Sequence, residues 1–505
     1  MKLSFGFWPR LCENAAFGIM LLYVGWDQTM KRFIQGANRD QLVLMPERLD
    51  DFVDEDNPVR VIDAYVESLN LGQLGFEGVE PFATGRPGYH PSILLKLYLY
   101  GYFNRIQSSR RLERETQRNV ELMWLLERLM PDFKTIADFR KNNGMAIRRV
   151  CRDFVRLCRK LDLFTQAIVA IDGSKFKAVN NRDNNFTPAK LKRRQQQVEA
   201  SIDRYLAQLD SADRQAPDMA EAKTARLREK ILALQAEQAQ LQALEAQVAA
   251  APDKQISLTD PDARSMKTRG NGIVGYNVQT AVDTTHHLIV NHEVINTGSD
   301  RGQLSTMAKQ ARIAIDADEL VALADRGYYK SEEILACDNA DIIVVLPKPK
   351  TSNNPTKGFF SREDFRFLPE DDEYVCPAGE RLIWRLRTVE KGKKLDGYWS
   401  SACPRCAIKQ RCTSSTNRRL YRWAHEDVLD AVQDRLDQQP ESMRLRRQTA
   451  EHPFGTLKAW MGYTHFLTKT LPRVRTEMSL HVLAYNLKRV ITIIGVKPLI
   501  AAMEG

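Results

Sequence analysis

Residues 167–179 read AIVAIDGSKFKAV, an apolar, β-branched run that carries a carboxylate, Asp172, where a buried strand has no use for one. A strand covered on both faces reads as continuous Ile, Val and Ala rather than as strict alternation. An acid in such a run is costly unless it is paired or holds a cation. The stretch therefore predicts a central strand of an α/β sheet and requires a partner for Asp172.

Residues 273–346 supply the rest of such a sheet. IVGYNVQTAVDTT followed by HHLIVNHEVIN predicts a hairpin, DRGQLSTMAKQARIAI a helix, ELVALADRGYY a strand and turn, SEEILACD a helix, and DIIVVLP another buried strand. That order belongs to a mixed sheet with helices on its faces. ADRGYY also brings a second acid, Asp325, to a strand end, with Gly327 allowing a sharp turn. A third, Glu451, lies in MRLRRQTAEHPFGTLKAWMGY between Arg447 and Lys458, at i, i+4 and i+11 on roughly one helical face. Pro453 predicts a kink just after it. Singly, each acid reads as a turn or capping Asp, or as half of an exposed ion pair. Together, carboxylates from two strands and a helix can converge on a metal, with the flanking cations on phosphate oxygens. Asp283 and Asp300 read as structural, the first at a strand end and the second as a helix N-cap.

The flanks differ in character. Residues 40–165 predict helices: HPSILLKLYLYGYF begins at a proline, Ser108 or Ser109 can cap the next helix, and Thr135 can cap IADFRKNN. The last of them puts Cys151 and Cys158 on an apolar stripe and a row of arginines mostly off it. Such short basic helices suit a helix-turn-helix-like DNA-binding module or a plain bundle with a solvated face. After Asp172, Val198, Ile202, Tyr205 and Leu209, then Leu227, Ile231, Leu234 and Leu241, predict a coiled-coil hairpin broken at SADRQAPDMA. A loop-rich segment is expected from about 350 to 420, and helices from about 425 onward. Within the former, Cys376, Cys403, Cys406 and Cys412 offer four thiols for a tetrahedral Zn²⁺.

Composition narrows the class. The chain has 505 residues, 74 Lys and Arg against 64 Asp and Glu, and a net charge of +10. That length implies several domains, and the positive balance favours a polyanionic partner, nucleic acid first. Eight cysteines in this length exclude a disulfide scaffold. The opening MKLSFGFWPRLCENAAFGIMLLYVGW has an apolar stretch too short and glycine-broken for a membrane span, and Met30 reads as a natural start. Residues 1–29 are then an extension without a role in the fold.

IDGSKF, ADRGY and the Arg-x3-Glu-x6-Lys run resemble the three catalytic blocks of the DDE transposases of bacterial insertion sequences, which have a ribonuclease H-like core. MKRFIQGANRDQLVLMPERLDDFV, DPDARSMKTRGNGIVGYNVQTAVD and HPFGTLKAWMGYTHFLTK are similar to stretches of one branch of these enzymes. The family's longer signature has a Tyr three residues before the Arg, where this chain has Arg444. The resemblance implies a triad of Asp172, Asp325 and Glu451 holding two Mg²⁺ or Mn²⁺ ions, with Arg447 and Lys458 as supporting DNA contacts. It implies DNA as partner, both terminal inverted repeats and target, and a homodimer holding two ends. Similar cysteines occur in related transposases between the second Asp and the Glu. The expected organisation is a helical DNA-binding domain over 30–165, a ribonuclease H-like catalytic core from 166–350 with the helical hairpin at 188–252, a cysteine-rich insertion at 351–424, and a C-terminal helical part of the core over 425–505. A cytoplasmic transposase follows, against a purely hydrolytic nuclease on the same core or a non-catalytic DNA-binding derivative.

Overall fold

The computed structural model describes residues 48–81, 88–180, 184–212, 217–268, 272–350 and 352–504, with side chains of the second hairpin helix from 224 onward. The expectations for residues 1–29 and for a start at Met30 lie outside these. The Asp172 stretch is the strand Ile168–Lys177, and it is central. The spatial order is Ile289–Ile295, Ile273–Asp283, Ile168–Lys177, Leu320–Leu323, Ile342–Val345, with a short strand Arg264–Met266 beside the start of Ile273–Asp283. In chain order the five main strands thus lie third, second, first, fourth, fifth. The first three pair antiparallel, the last two parallel to the first. Helices Leu304–Ile315 and Ser331–Asp338 make the connections into the parallel strands.

The central strand separates two cores. Phe176 packs on one face with Tyr276, Val278 and the buried side chains of the helices Pro91–Phe103, Gly144–Lys160 and Leu471–Ile494. Val169 and Ile171 pack on the other with Leu304, Met307, Ala308, Ile334 and Leu429. Cys151 and Cys158 are buried in the first core, as their helical spacing predicts. Leu471–Ile494 is tied to the sheet by a buried amide, Asn486, whose Oδ1 accepts from Ile289 N at 2.9 Å and whose Nδ2 donates to Ile289 O at 2.8 Å.

The helical hairpin forms from Pro188–Ala212 and Pro217–Ala250, with Leu191, Val198, Leu241 and Val248 buried between the helices. Its base is closed by an antiparallel pair, Asn185 with Ser257 and Phe186 with Ile256.

Some expectations are corrected. The segment expected to be loop-rich from about 350 to 420 contains a second sheet of five antiparallel strands, in the order Leu420–Trp423, Lys393–Trp399, Arg381–Glu390, Glu373–Val375, Arg366–Leu368. Its longest hairpin turns at Lys391 and Gly392, both at positive φ, between the paired Glu390 and Lys393. That is the two-residue turn whose twist matches the flanking strands. The helix expected to be capped by Thr135 is instead capped by Asp132, whose Oδ1 accepts from Lys134 N at 2.9 Å and Thr135 N at 3.0 Å. Ser108 holds the N-cap position of the helix Ser109–Thr116 without a side-chain capping bond. The helix Ser442–Gly455 runs through Pro453, and its irregularity comes later, as a π-helical turn Thr456–Trp460.

Candidate active site

Asp172 and Asp325 are neighbours because of strand register. Ile168, Val169 and Ala170 pair in parallel with Val321, Ala322 and Leu323. The pairing ends there, and Asp172 and Asp325 each lie two residues beyond its last pair, near enough for the charge of Asp325 to act on Asp172. Asp325 lies just past its strand, where it caps the turn Arg326–Tyr328 by accepting from Gly327 N at 2.8 Å.

Residues on the central strand alternate in what they meet. Asp172, Ser174 and Phe176 meet the C-terminal helices. Arg446, buried on the helix Ser442–Gly455, forms an ion pair with Asp172, Nη2 standing 2.7 Å from Oδ1, and donates from Nη2 to the carbonyl of Ile171 at 3.3 Å. Gly173 N donates to the same carboxylate oxygen at 2.8 Å. Asp172 Oδ2 takes no hydrogen bond among the described residues. Lys458 Nζ donates to Ser174 Oγ at 2.7 Å and to Lys175 O at 3.1 Å, and stands 4.5 Å from the centre of the Phe176 ring. Burial lowers the Lys458 ammonium below its ordinary pKa. Burial raises the Asp172 carboxyl, Arg446 and the Gly173 N–H oppose that, and the charge of Asp325 adds to it. Thr280 Oγ1, Thr449 Oγ1 and Arg446 Nε are buried without a hydrogen-bond partner. Thr280 is the antiparallel partner of Asp172.

Glu451 is on the same helix as Arg446 but exposed, as is Arg447. The i,i+4 ion pair between these two is not made. Among the described residues no three His, Cys, Asp or Glu side chains stand close enough together to hold a metal ion. Asp172 and Asp325 are therefore brought together and Glu451 is left on the adjoining helix. The pair itself fits a hard cation: two carboxylates side by side, one desolvated and with an oxygen unpaired, are the donor type that Mg²⁺ and Mn²⁺ take.

The sequence pattern points to Arg447, whereas the residue paired with Asp172 is its neighbour Arg446. The signal was present, since Arg446 shares a helical stripe with the buried Thr449, Ala450, Pro453 and Leu457, whereas Arg447 is off it. Asp283 behaves as expected of a strand-end acid, accepting from Thr285 N at 3.0 Å and His286 N at 2.6 Å. Asp300 does not cap a helix. The N-cap position before Leu304–Ile315 is Gln303, and Asp300 instead accepts from the side chains of Asn277 and Gln279, both at 2.7 Å.

Away from this site, Cys376, Cys403, Cys406 and Cys412 all line one small cavity beside the second sheet, with Phe365, Leu382 and Ile408. Burial raises the Cys412 thiol, and the other three sulfurs push it the same way.

Comparison with curated proteins returns no match. A solved structure of the piggyBac transposase synaptic complex with hairpin DNA aligns over 89% of this chain and 79% of that one, at 8% identity and a TM-score of 0.28. Family matches fall on either side of the central sheet: residues 47–142 match the family Transposase domain (DUF772), and residues 375–491 match the family Transposase DDE domain. The two transposase matches, one before the central sheet and one after it, support a DDE transposase of insertion-sequence type.

Proposed function

We propose that this transposase cuts DNA at the terminal inverted repeats of its element and joins the freed ends to target DNA, using Asp172, Asp325 and Glu451 on a ribonuclease H-like core. The strand order third, second, first, fourth, fifth, with the last two parallel to the first, supports that assignment of the core. The observation that carries the reading is the juxtaposition of Asp172, on the central strand, and Asp325, on the turn just past the neighbouring strand, beside a helix that bears Glu451. Mg²⁺ or Mn²⁺ held by these carboxylates would activate the attacking oxygen and stabilise the leaving one. In the first step water attacks a phosphodiester and releases a 3′-hydroxyl at the element's end. In the second that hydroxyl attacks a target phosphodiester and displaces its 3′-oxygen, so bond number is conserved and no external energy source is needed.

The chain's own residues supply the frame. Arg446 holds Asp172 in place and neutralises it. Lys458 braces the strand next to it, and its ammonium, bonded to Ser174 and Lys175, is the phosphate contact of this reading only if DNA displaces those partners. Arg447, exposed on the same helix, is the freer one. The four cysteines share one cavity but do not stand close enough together to hold a metal as placed, so a structural Zn²⁺ on their thiolates requires them to draw in around it. The net charge of +10 suits DNA, and two element ends call for two copies of the chain acting in the cytoplasm. Among the described residues no helix is long and apolar enough to cross a membrane.

The test is a duplex oligonucleotide ending in the element's inverted repeat, incubated with the protein and Mg²⁺. Asp172→Asn, Asp325→Asn and Glu451→Gln are each expected to lower nicking at least a hundredfold while metal-free DNA binding persists. Near-normal nicking by any of them removes that residue from the site. Joining of a pre-cut end to a plasmid separates a transposase from a hydrolytic nuclease, which would release the end and never join it.

A further inference from the structure

Asp325 stands on a single turn after a strand of only four residues, and the next two residues of that turn, Arg326 and Gly327, are exposed. Its anchor is the fifth residue of ADRGY, Tyr328, which is 1% exposed and donates its hydroxyl to Gln279 Oε1. Gln279 Nε2 passes the contact on to Asp300 Oδ1 at 2.7 Å, where Asn277 Nδ2 also donates at 2.7 Å, and Lys175 Nζ stands 3.4 Å from Asp300 Oδ2. Gln279 and Asn277 are fully buried. The chain runs directly beneath Asp172: a Cβ at Gly173 would stand 2.3 Å from Gln279 Nε2 and 2.6 Å from Asp300 Oδ1. The glycine after Asp172 and the tyrosine after Asp325 thus serve one network, which links the strand of the first acid to the turn of the second.

We infer that Tyr328, Gln279 and Asp300 are positioning residues that fix Asp325 against Asp172 through this buried hydrogen-bonded chain, an inference that rests on the reading of the two aspartates as metal ligands. None of the three needs to touch DNA or metal. Partners one step behind a metal ligand set its orientation, and losing one typically weakens metal binding 10- to 100-fold.

The measurement is Mn²⁺ binding to the full chain without DNA, read from the electron paramagnetic resonance signal of free Mn²⁺. Tyr328→Phe and Asp300→Ala are expected to bind Mn²⁺ roughly tenfold more weakly than the wild type. Asp300→Asn, whose Oδ1 still accepts from both amides, should stay within about twofold, and metal-free DNA binding should be unchanged in all three. Wild-type Mn²⁺ affinity in folded Tyr328→Phe and Asp300→Ala overturns the inference. If Asp300→Ala fails to fold, Tyr328→Phe, which removes only the hydroxyl and keeps the buried ring, decides alone. Loss of Mn²⁺ binding in Asp172→Asn and Asp325→Asn beside normal binding in Tyr328→Phe sinks the positioning role only; normal binding in the aspartate variants sinks the metal-ligand reading itself.

Discussion

Asp172 is held at a cost that Arg446 only partly offsets. Its pKa is raised by burial and by the neighbouring Asp325, so the folded protein takes up the proton more readily than the unfolded chain. The stability linked to that proton is present at acid pH and is lost as pH rises through the folded-state pKa. Asp172→Asn is the neutral mimic and its oxygen still accepts from Arg446. Metal-free Asp172→Asn is therefore expected to unfold at a higher temperature than wild type at neutral pH, with the two midpoints converging as pH falls into the carboxylate range. Added Mg²⁺ should reverse the order, since an ion at ten times its Kd stabilises the wild type by about 1.4 kcal/mol and gives the variant little. Calorimetry across pH, with and without Mg²⁺, checks both halves; a metal-free variant less stable than wild type at neutral pH would contradict the burial argument. At this scale the sequence exposed the acids but not their neighbours. Asp172 was conspicuous as a charge in an apolar run, whereas Tyr328, Gln279 and Asp300 are unremarkable residue types until register and turn bring them into one chain.

Elements were legible where burial is one-sided or complete and obscure where polar pairing does the stabilising. The strands Ile168–Lys177, Ile273–Asp283 and Ile342–Val345 announce themselves by apolar content. The strand Arg381–Glu390 does not: most of it is exposed, and it is held across the hairpin by Asp396, which accepts from Arg387 Nε and Nη2 at 2.9 Å each and from Trp384 Nε1 at 2.8 Å. Charged cross-strand pairs leave no alternating pattern to read. The apolar core of that second sheet is small, namely Phe365, Tyr374, Leu382, Tyr398 and Leu420, with Cys376 and Cys412 packed against it. A core of that size gains most from a metal staple. Purified protein is accordingly expected to carry one zinc per chain, and Cys403→Ser with Cys406→Ser to lose it together with protease resistance between residues 360 and 420. Because the central sheet has its own two cores, its resistance should survive. An unchanged zinc content in the double variant would remove the metal from this cavity.

At the scale of the whole molecule, the central sheet is assembled from distant parts of the chain, and the helical hairpin is the largest interruption. Its ends are adjacent: Asn185 pairs with Ser257 and Phe186 with Ile256. Its apolar residues form a cluster of their own, Leu191, Val198, Leu241 and Val248 with Phe186, Ile202, Leu234, Leu244 and Ile256 partly buried around it, separate from both cores of the central sheet. The strand Ile168–Lys177 meanwhile is fixed by partners from outside the hairpin: Ile273–Asp283, Leu320–Leu323, Arg446 and Lys458. Replacing residues 188–252 with a four-residue Gly-Ser turn shortens the loop between paired strands and removes no contact that holds either aspartate. Loop-closure entropy changes only slowly with length, so the shorter connection should favour the folded state slightly. The excised protein is expected to unfold within about 4 °C of the full chain, equivalent to roughly 1 kcal/mol, and to retain Mn²⁺ binding. A larger fall in the midpoint, or loss of Mn²⁺ binding, would show that the hairpin supports the sheet. Retained metal binding with lost joining of DNA ends would instead assign the hairpin to the DNA-bound assembly, the role left for a long, self-packed and solvent-exposed pair of helices.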